Sequence, residues 1–252
     1  MQNDKTHPQM EQDMNQQIFS EDLQSKASLT KPYSKGPYNK SNDQEQWIRI
    51  TEGCPNQCEY CRESFENGIK PIYYPIPNII RNDVKIIDMN LMYKSKAIEI
   101  LDELGSKRVN KKVVYYELVC GIDYRYMTQE KADALKRNRF KKIRLAWDHN
   151  IIEQRRIKSC IKMLNKAGYR GRDIMVFMIC NWKISYQDNL FKLDLCKVWG
   201  VFVCACWFDN QAGRKIKPIH WIPEHIKEFN RKERKHNQMI NFGIDPQLKN
   251  CT

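Results

Sequence analysis

The chain has 252 residues, 41% of them hydrophobic and 11% aromatic, enough to bury the core of one large domain or two small ones. No stretch approaches the roughly 20 apolar residues of a membrane span, and the polar N-terminus lacks the apolar segment of a signal peptide, so a cytoplasmic protein with no membrane attachment is expected. The net charge of +13 is unevenly placed: residues 1–46 hold five lysines against seven acids, net −2, which leaves +15 on the remainder and suits a polyanionic partner.

Residues 1–45 are rich in Gln, Asn, Ser, Lys and Asp and have almost no apolar periodicity, so they read as a disordered or loosely packed polar arm. From Trp47 six β-rich runs follow in order: "WIRIT", "VKIIDM", "KVVYYELVC", "KKIRLAWD", "RDIMVFMIC" and "GVFVCACWF". Their starts lie 37, 28, 29, 31 and 28 residues apart, the length of one strand plus one crossover. Helices are expected in "SKAIEILDELG" with Gly105 as its stop, in "TQEKADALKRN" behind a Thr128 cap, in "IIEQRRIKSCIKMLNKAG" ending at Gly168, and in "SYQDNLFKLDLCKVWG" from Ser185 to Gly200. Apolar strands alternating with helices predict an α/β fold with a parallel sheet. A complete eight-unit barrel needs about 250 residues. The length left after the arm fits six units, a partial (β/α)6 barrel over residues 46–210, and residues 211–252 form a basic C-terminal helical extension. Functional groups then belong at the carboxyl ends of the strands.

Directly after the first strand stands "TEGCPNQCEYC", three cysteines spaced CxxxCxxC at Cys54, Cys58 and Cys61. Disulfides rarely persist in a reducing compartment, which leaves thiols or metal ligands. Structural zinc asks for four ligands and would need a remote Cys or His. A 4Fe-4S cluster can be wrapped at three corners by one short loop, leaving its fourth iron open to a small molecule. The other seven cysteines read as small hydrophobes or tail residues, although Cys204 and Cys206 would share one strand face and could hold a second metal.

The stretch resembles the signature of the radical S-adenosylmethionine (radical SAM) superfamily, CxxxCx(aromatic)C in the loop after strand one of a partial (β/α)6 barrel. Cys54, Cys58, Cys61 and the aromatic Tyr60 all match it. The resemblance covers Trp47 to about Asp209 and implies an enzyme with a 4Fe-4S cluster on the three cysteines and SAM on the open iron. It also implies reductive cleavage of SAM to a 5'-deoxyadenosyl radical, and a flavodoxin- or ferredoxin-like electron donor. Tyr60 would pack near the adenine. Where many members carry GGE after strand two, this chain has "IIDMN", with Asp88 and Asn90 as acceptors. That variant and "GIDYR" look more like the tRNA methylthiotransferase and cobalamin-associated branches, whose flanking domains have no room here. Asp123 and Arg125 would meet the SAM carboxylate, Asp148 a ribose hydroxyl, and Asn181 the adenine or substrate side. The charge favours a nucleic acid or nucleotide as substrate. A peptide or small metabolite, or a non-catalytic nucleic-acid-binding module with a zinc or iron-sulfur site, is the alternative.

Overall fold

The computed structural model describes residues 35–61, 70–148, 150–208 and 221–243. The chain divides into residues 1–36, of which only Lys35 and Gly36 are described, and residues 37–252, whose architecture follows.

All six expected runs contain a strand with parallel pairing, distributed over two four-stranded sheets among the described residues, and one strand appears where an arm is expected. β1 (Tyr38–Ser41) folds back antiparallel on β2 (Gln46–Arg49), with Tyr38 opposite Arg49 and Ser41 opposite Gln46. The side chain of Asn42 closes the turn by accepting from the backbone N–H of Gln44 and Glu45 at 2.9 and 2.8 Å. The expected arm therefore ends earlier than residue 45. A one-sided hairpin strand needs few apolar residues, and β1 buries only Tyr38, so composition hides it. Residues 1–34 of that arm lie outside the described residues.

β2 pairs in parallel with β3 (Asp83–Ile86), and β3 with β4 (Tyr115–Leu118). After a turn at Gly121 (φ +86°) the same segment resumes as β5 (Ile122–Asp123), parallel to β6 (Ile143–Ala146), which pairs with β7 (Ile174–Cys180), and β7 with β8 (Phe202–Trp207). Neighbours in sequence are thus neighbours in the sheet, the order of a (β/α) barrel and not of a doubly wound sheet, whose order reverses. Among the described residues the arc does not close.

Outside the arc lie α1 (Ala97–Ser106), α2 (Gln129–Arg137), α3 (Gln154–Lys166), α4 (Tyr186–Trp199) and α5 (Pro223–Asn241). They bury the aligned side chains Ile48, Ile86, Leu118, Leu145, Val176 and Val203, each at most 5% exposed. Thr128 and Ser185 cap α2 and α4 by accepting from the N–H three residues on. Gly105 departs from its expected role, since it lies inside α1, and a Cβ there would sit 1.8 Å from Oδ1 of Asn138. Close packing between α1 and the end of α2 fixes it, not a stop signal. α5 covers the edge of β8: Asn237 Oδ1 accepts from Val203 N–H at 3.0 Å, and Glu233 Oε1 from Ala205 N–H at 2.9 Å. Side chains here take the place of a further strand.

The opposite face of the sheet carries charge. Lys85 stands level with Glu117, their side chains 2.6 Å apart, and Arg144 reaches the other oxygen of the same carboxylate. Glu117 is 1% exposed, so this belt is a buried network with its charges mutually compensated.

Candidate active site

The loop after β2 is pinned at its base. Thr51 and Glu52 pair antiparallel with Tyr73 and Ile72, bringing the returning chain against Gly53. A Cβ at Gly53 (φ +85°) would lie 2.1 Å from the carbonyl oxygen of Lys70, so only glycine fits. Lys94, 1% exposed, donates to the carbonyls of Gly53 and Met89, and burial brings its pKa down to about 8. Asp88 Oδ1 accepts from Ile50 N–H at 2.8 Å and latches the end of β3 to the end of β2. Burial pushes its pKa up to about 7, against the Ile50 hydrogen bond.

Above this base the three cysteines enter a cleft at the carboxyl ends of the strands, enclosing about 750 Å³ of space open to solvent. Cys54, Cys58, Tyr60, Cys61, Asn90, Asp123, Arg125 and Asp148 all line it, so eight of the ten residues singled out from sequence converge. Cys61 N–H donates to Cys58 O at 2.9 Å in a tight turn. Burial raises the Cys58 thiol, with the neighbouring Cys61 and Cys54 adding to it. Asn90, held at φ 43°, points Nδ2 at Cys54 Sγ (3.6 Å) and Asp123 Oδ2 (3.3 Å). Its Oδ1 is buried without a partner among the described residues.

Arg125 forks onto Asp123 through Nε and a terminal nitrogen, both at 2.8 Å, and this pairing raises its pKa against the lowering effect of burial. Asn56 donates to the same carboxylate at 2.5 Å and accepts from Tyr126 at 3.3 Å. Across the cleft Tyr60 donates to Asp148 Oδ2 at 2.9 Å and meets the edge of Trp182, ring centres 6.3 Å apart. Burial and the Asp148 charge hold the Tyr60 phenol far above its ordinary pKa, so it stays a donor.

Two expected contacts lie elsewhere. Asp88 is the latch below the loop, and Asn181 accepts from Trp221 N–H at 2.9 Å, anchoring the entry to α5. A polar residue at a strand end serves the backbone as readily as a ligand, and spacing does not separate the two uses. Cys120, expected to be buried, is exposed and lines the cleft because the chain turns out of the sheet there. Cys160, Cys180 and Cys196 are buried as expected. Cys204 and Cys206 do share a face; their mutual hydrogen bond lowers one thiol and raises the other. The sequence pattern does not single out Asn56 or Lys94. Asn56 is legible as the polar residue inside the cysteine loop, whereas Lys94 in "MYKSK" reads as a solvated lysine.

The donor set suits an iron-sulfur cluster: three thiols on one short loop, and beside Cys54 an acceptor, Asn90 Oδ1, that the protein itself leaves unused. Among the described residues no three His, Cys, Asp or Glu side chains gather around a single ion, and no helix is long and apolar enough to cross a membrane.

No protein-family profile and no curated protein sequence matches the chain. Solved structures do. The radical SAM methyltransferase TsrM of Kitasatospora setae, solved with cobalamin and a [4Fe-4S] cluster, superposes with a TM-score of 0.52 at 13% identity over 64% of this chain and 36% of that one. The same protein with tryptophan and a SAM analogue gives 0.52 and 13% over 64% and 35%. The coproporphyrinogen III oxidase HemN of Escherichia coli, a radical SAM enzyme, gives 0.47 and 13% over 63% and 40%. The chain spans about a third of the TsrM it matches, and what it shares with TsrM is the fold.

Proposed function

We propose that the chain is a radical SAM enzyme that modifies a nucleic acid or nucleotide. The observation that carries the enzyme reading is the cleft itself: a CxxxCxxC loop, pinned by Gly53 and Lys94, opens at the carboxyl ends of an open (β/α) arc beside an unused acceptor. A 4Fe-4S cluster held by the three thiols would, when reduced and with SAM bound, supply the radical chemistry for removing a hydrogen atom from the substrate, and the surrounding side chains would hold and orient SAM.

Cys54, Cys58 and Cys61 would hold that cluster, and Asn90 Oδ1 offers an acceptor to the SAM amino group. Arg125, fixed in orientation by Asp123, presents its remaining donors to a carboxylate. Asp148, held by Tyr60 on the wall of the cleft, is a carboxylate that suits a ribose hydroxyl. Tyr60, braced by Asp148 and Trp182, gives the adenine a rigid edge. A flavodoxin- or ferredoxin-like protein in the cytoplasm is the matching electron donor. The nucleic-acid reading rests on the +15 carried by residues 47–252.

Anaerobically reconstituted protein is expected to be brown and, with dithionite, to convert SAM to 5'-deoxyadenosine. A colourless protein with one tightly bound zinc and no 5'-deoxyadenosine would refute the proposal.

A further inference from the structure

α3 buries Ile157, Cys160, Ile161 and Leu164 against the barrel and contains five cations and no acid. Arg155, Lys158, Lys162 and Lys166 fall within a narrow arc of the opposite face, all exposed. They form a row roughly 16 Å long at 1.5 Å per residue. None of the four is engaged in an ion pair or hydrogen bond among the described residues. Like charges at i, i+4 work against a helix, so this row costs stability where it stands, and no ion pair among the described residues offsets it. Glu153, just before the helix, pairs with Arg156 at 3.5 Å and not with the row.

The row also leads somewhere. α3 begins near the carboxyl ends of the strands, and Arg156, Ser159 and Met163 share a groove with Tyr124 and Arg125. Tyr124 and Arg125 line the cysteine cleft as well. Positive groups therefore run from the cleft mouth, past Arg125 and Arg156, down the exposed face of α3.

We propose that this face of α3 is the track for the backbone of a single-stranded polynucleotide whose target nucleotide enters the cleft. The proposal rests on the radical SAM reading for what happens in the cleft, and on charge complementarity for what lies on the helix. One row of cations matches one phosphate backbone, and a base buried in a duplex stack could not reach the cleft without leaving it. Phosphate contacts of this kind position the strand and leave sequence choice to the cleft.

The test measures binding of fluorescent 12-nucleotide RNA and DNA single strands to the full chain over a series of salt concentrations. Replacing Lys158, Lys162 and Lys166 by Gln should weaken binding at low salt and reduce the slope of log affinity against log salt by about 2, at roughly 0.7 for each phosphate no longer neutralised. The equally charged variant K227Q/R234Q/K235Q, on α5, should bind as the unaltered protein does. The two polynucleotides identify the source of the phosphates: a preference for RNA or for DNA, or equal binding of both, fits the track. Equal loss in both variants would reduce the effect to net charge and overturn the proposal. So would an unchanged slope in the α3 variant, or binding to anionic phosphatidylserine vesicles with none to either oligonucleotide. Formation of 5'-deoxyadenosine by the unaltered protein, assayed without nucleic acid, separates the two readings. Its absence overturns the enzyme while the binding data still judge the track.

Discussion

Two acid–arginine pairs stand six residues apart along one segment and do opposite things. Glu117 on β4 holds Lys85 and Arg144 within the charged belt, where the carboxylate is 1% exposed and every charge is answered from inside. Asp123 on β5 holds Arg125 with a two-point fork, where Arg144 meets Glu117 through one nitrogen, and it does so on the wall of the cleft, where Arg125 keeps donors facing open space. The turn at Gly121 lies between them and changes the partner strand from β3 to β6. The same chemistry closes a structure below the turn and presents a binding group above it. What distinguishes the pairs is whether hydrogen-bonding capacity is left over, not their strength.

The sharpest way to break that contrast is to disturb the belt. Glu117→Gln removes the counter-charge that Lys85 and Arg144 share, leaving Lys85 with Asp83 at 3.1 Å, and losing one partner of a buried pair costs about 3–5 kcal/mol. A fall in Tm on the order of 10 °C is expected by calorimetry, with iron retention per folded chain preserved. An unaltered Tm with loss of iron would place Glu117 in the site after all.

A smaller effect is expected at the latch between belt and cleft. Asp88 is protonated in the folded protein up to about pH 7 but ionises near its ordinary value when unfolded. The folded state therefore binds the extra proton between those values, and the Asp88 contribution to stability falls as pH rises from about 4 to about 7. Asp88→Asn keeps an acceptor for Ile50 N–H and removes the titration, so its stability relative to the natural protein should rise over that window by up to a few kcal/mol. Parallel denaturation curves at pH 4 and pH 7 for the two proteins would contradict this.

Much of the fold around the cleft is legible in the sequence because barrel strands buried under helices are nearly continuous apolar runs, and all six stand out as such. The third strand begins later than its apolar run suggests. Asn110 and Lys111 both take positive φ, making a two-residue turn between Arg108–Val109 and Lys112–Val113, so β4 begins only at Tyr115. Nothing in "VNKKV" marks that turn as strongly as a glycine would. The cysteine loop is legible for a chemical reason: three closely spaced thiols after a strand have few uses. Asp88 and Asn181 mislead because their partners, Ile50 N–H and Trp221 N–H, are backbone groups far away in sequence. The charged belt is unreadable for the same reason, since Lys85, Glu117 and Arg144 meet only once the register of three strands is set.

The central claim is that Cys54, Cys58 and Cys61, and not merely any cysteine of the cleft, hold an iron-sulfur cluster. Cys120 lines the same cleft and supplies the control. Iron and sulfide per chain, measured after anaerobic reconstitution of Cys58→Ala and Cys120→Ala, tests it most directly. The account predicts about four irons in Cys120→Ala and loss of the cluster in Cys58→Ala with helix content unchanged. A full cluster in Cys58→Ala, or its loss in Cys120→Ala alone, would contradict it.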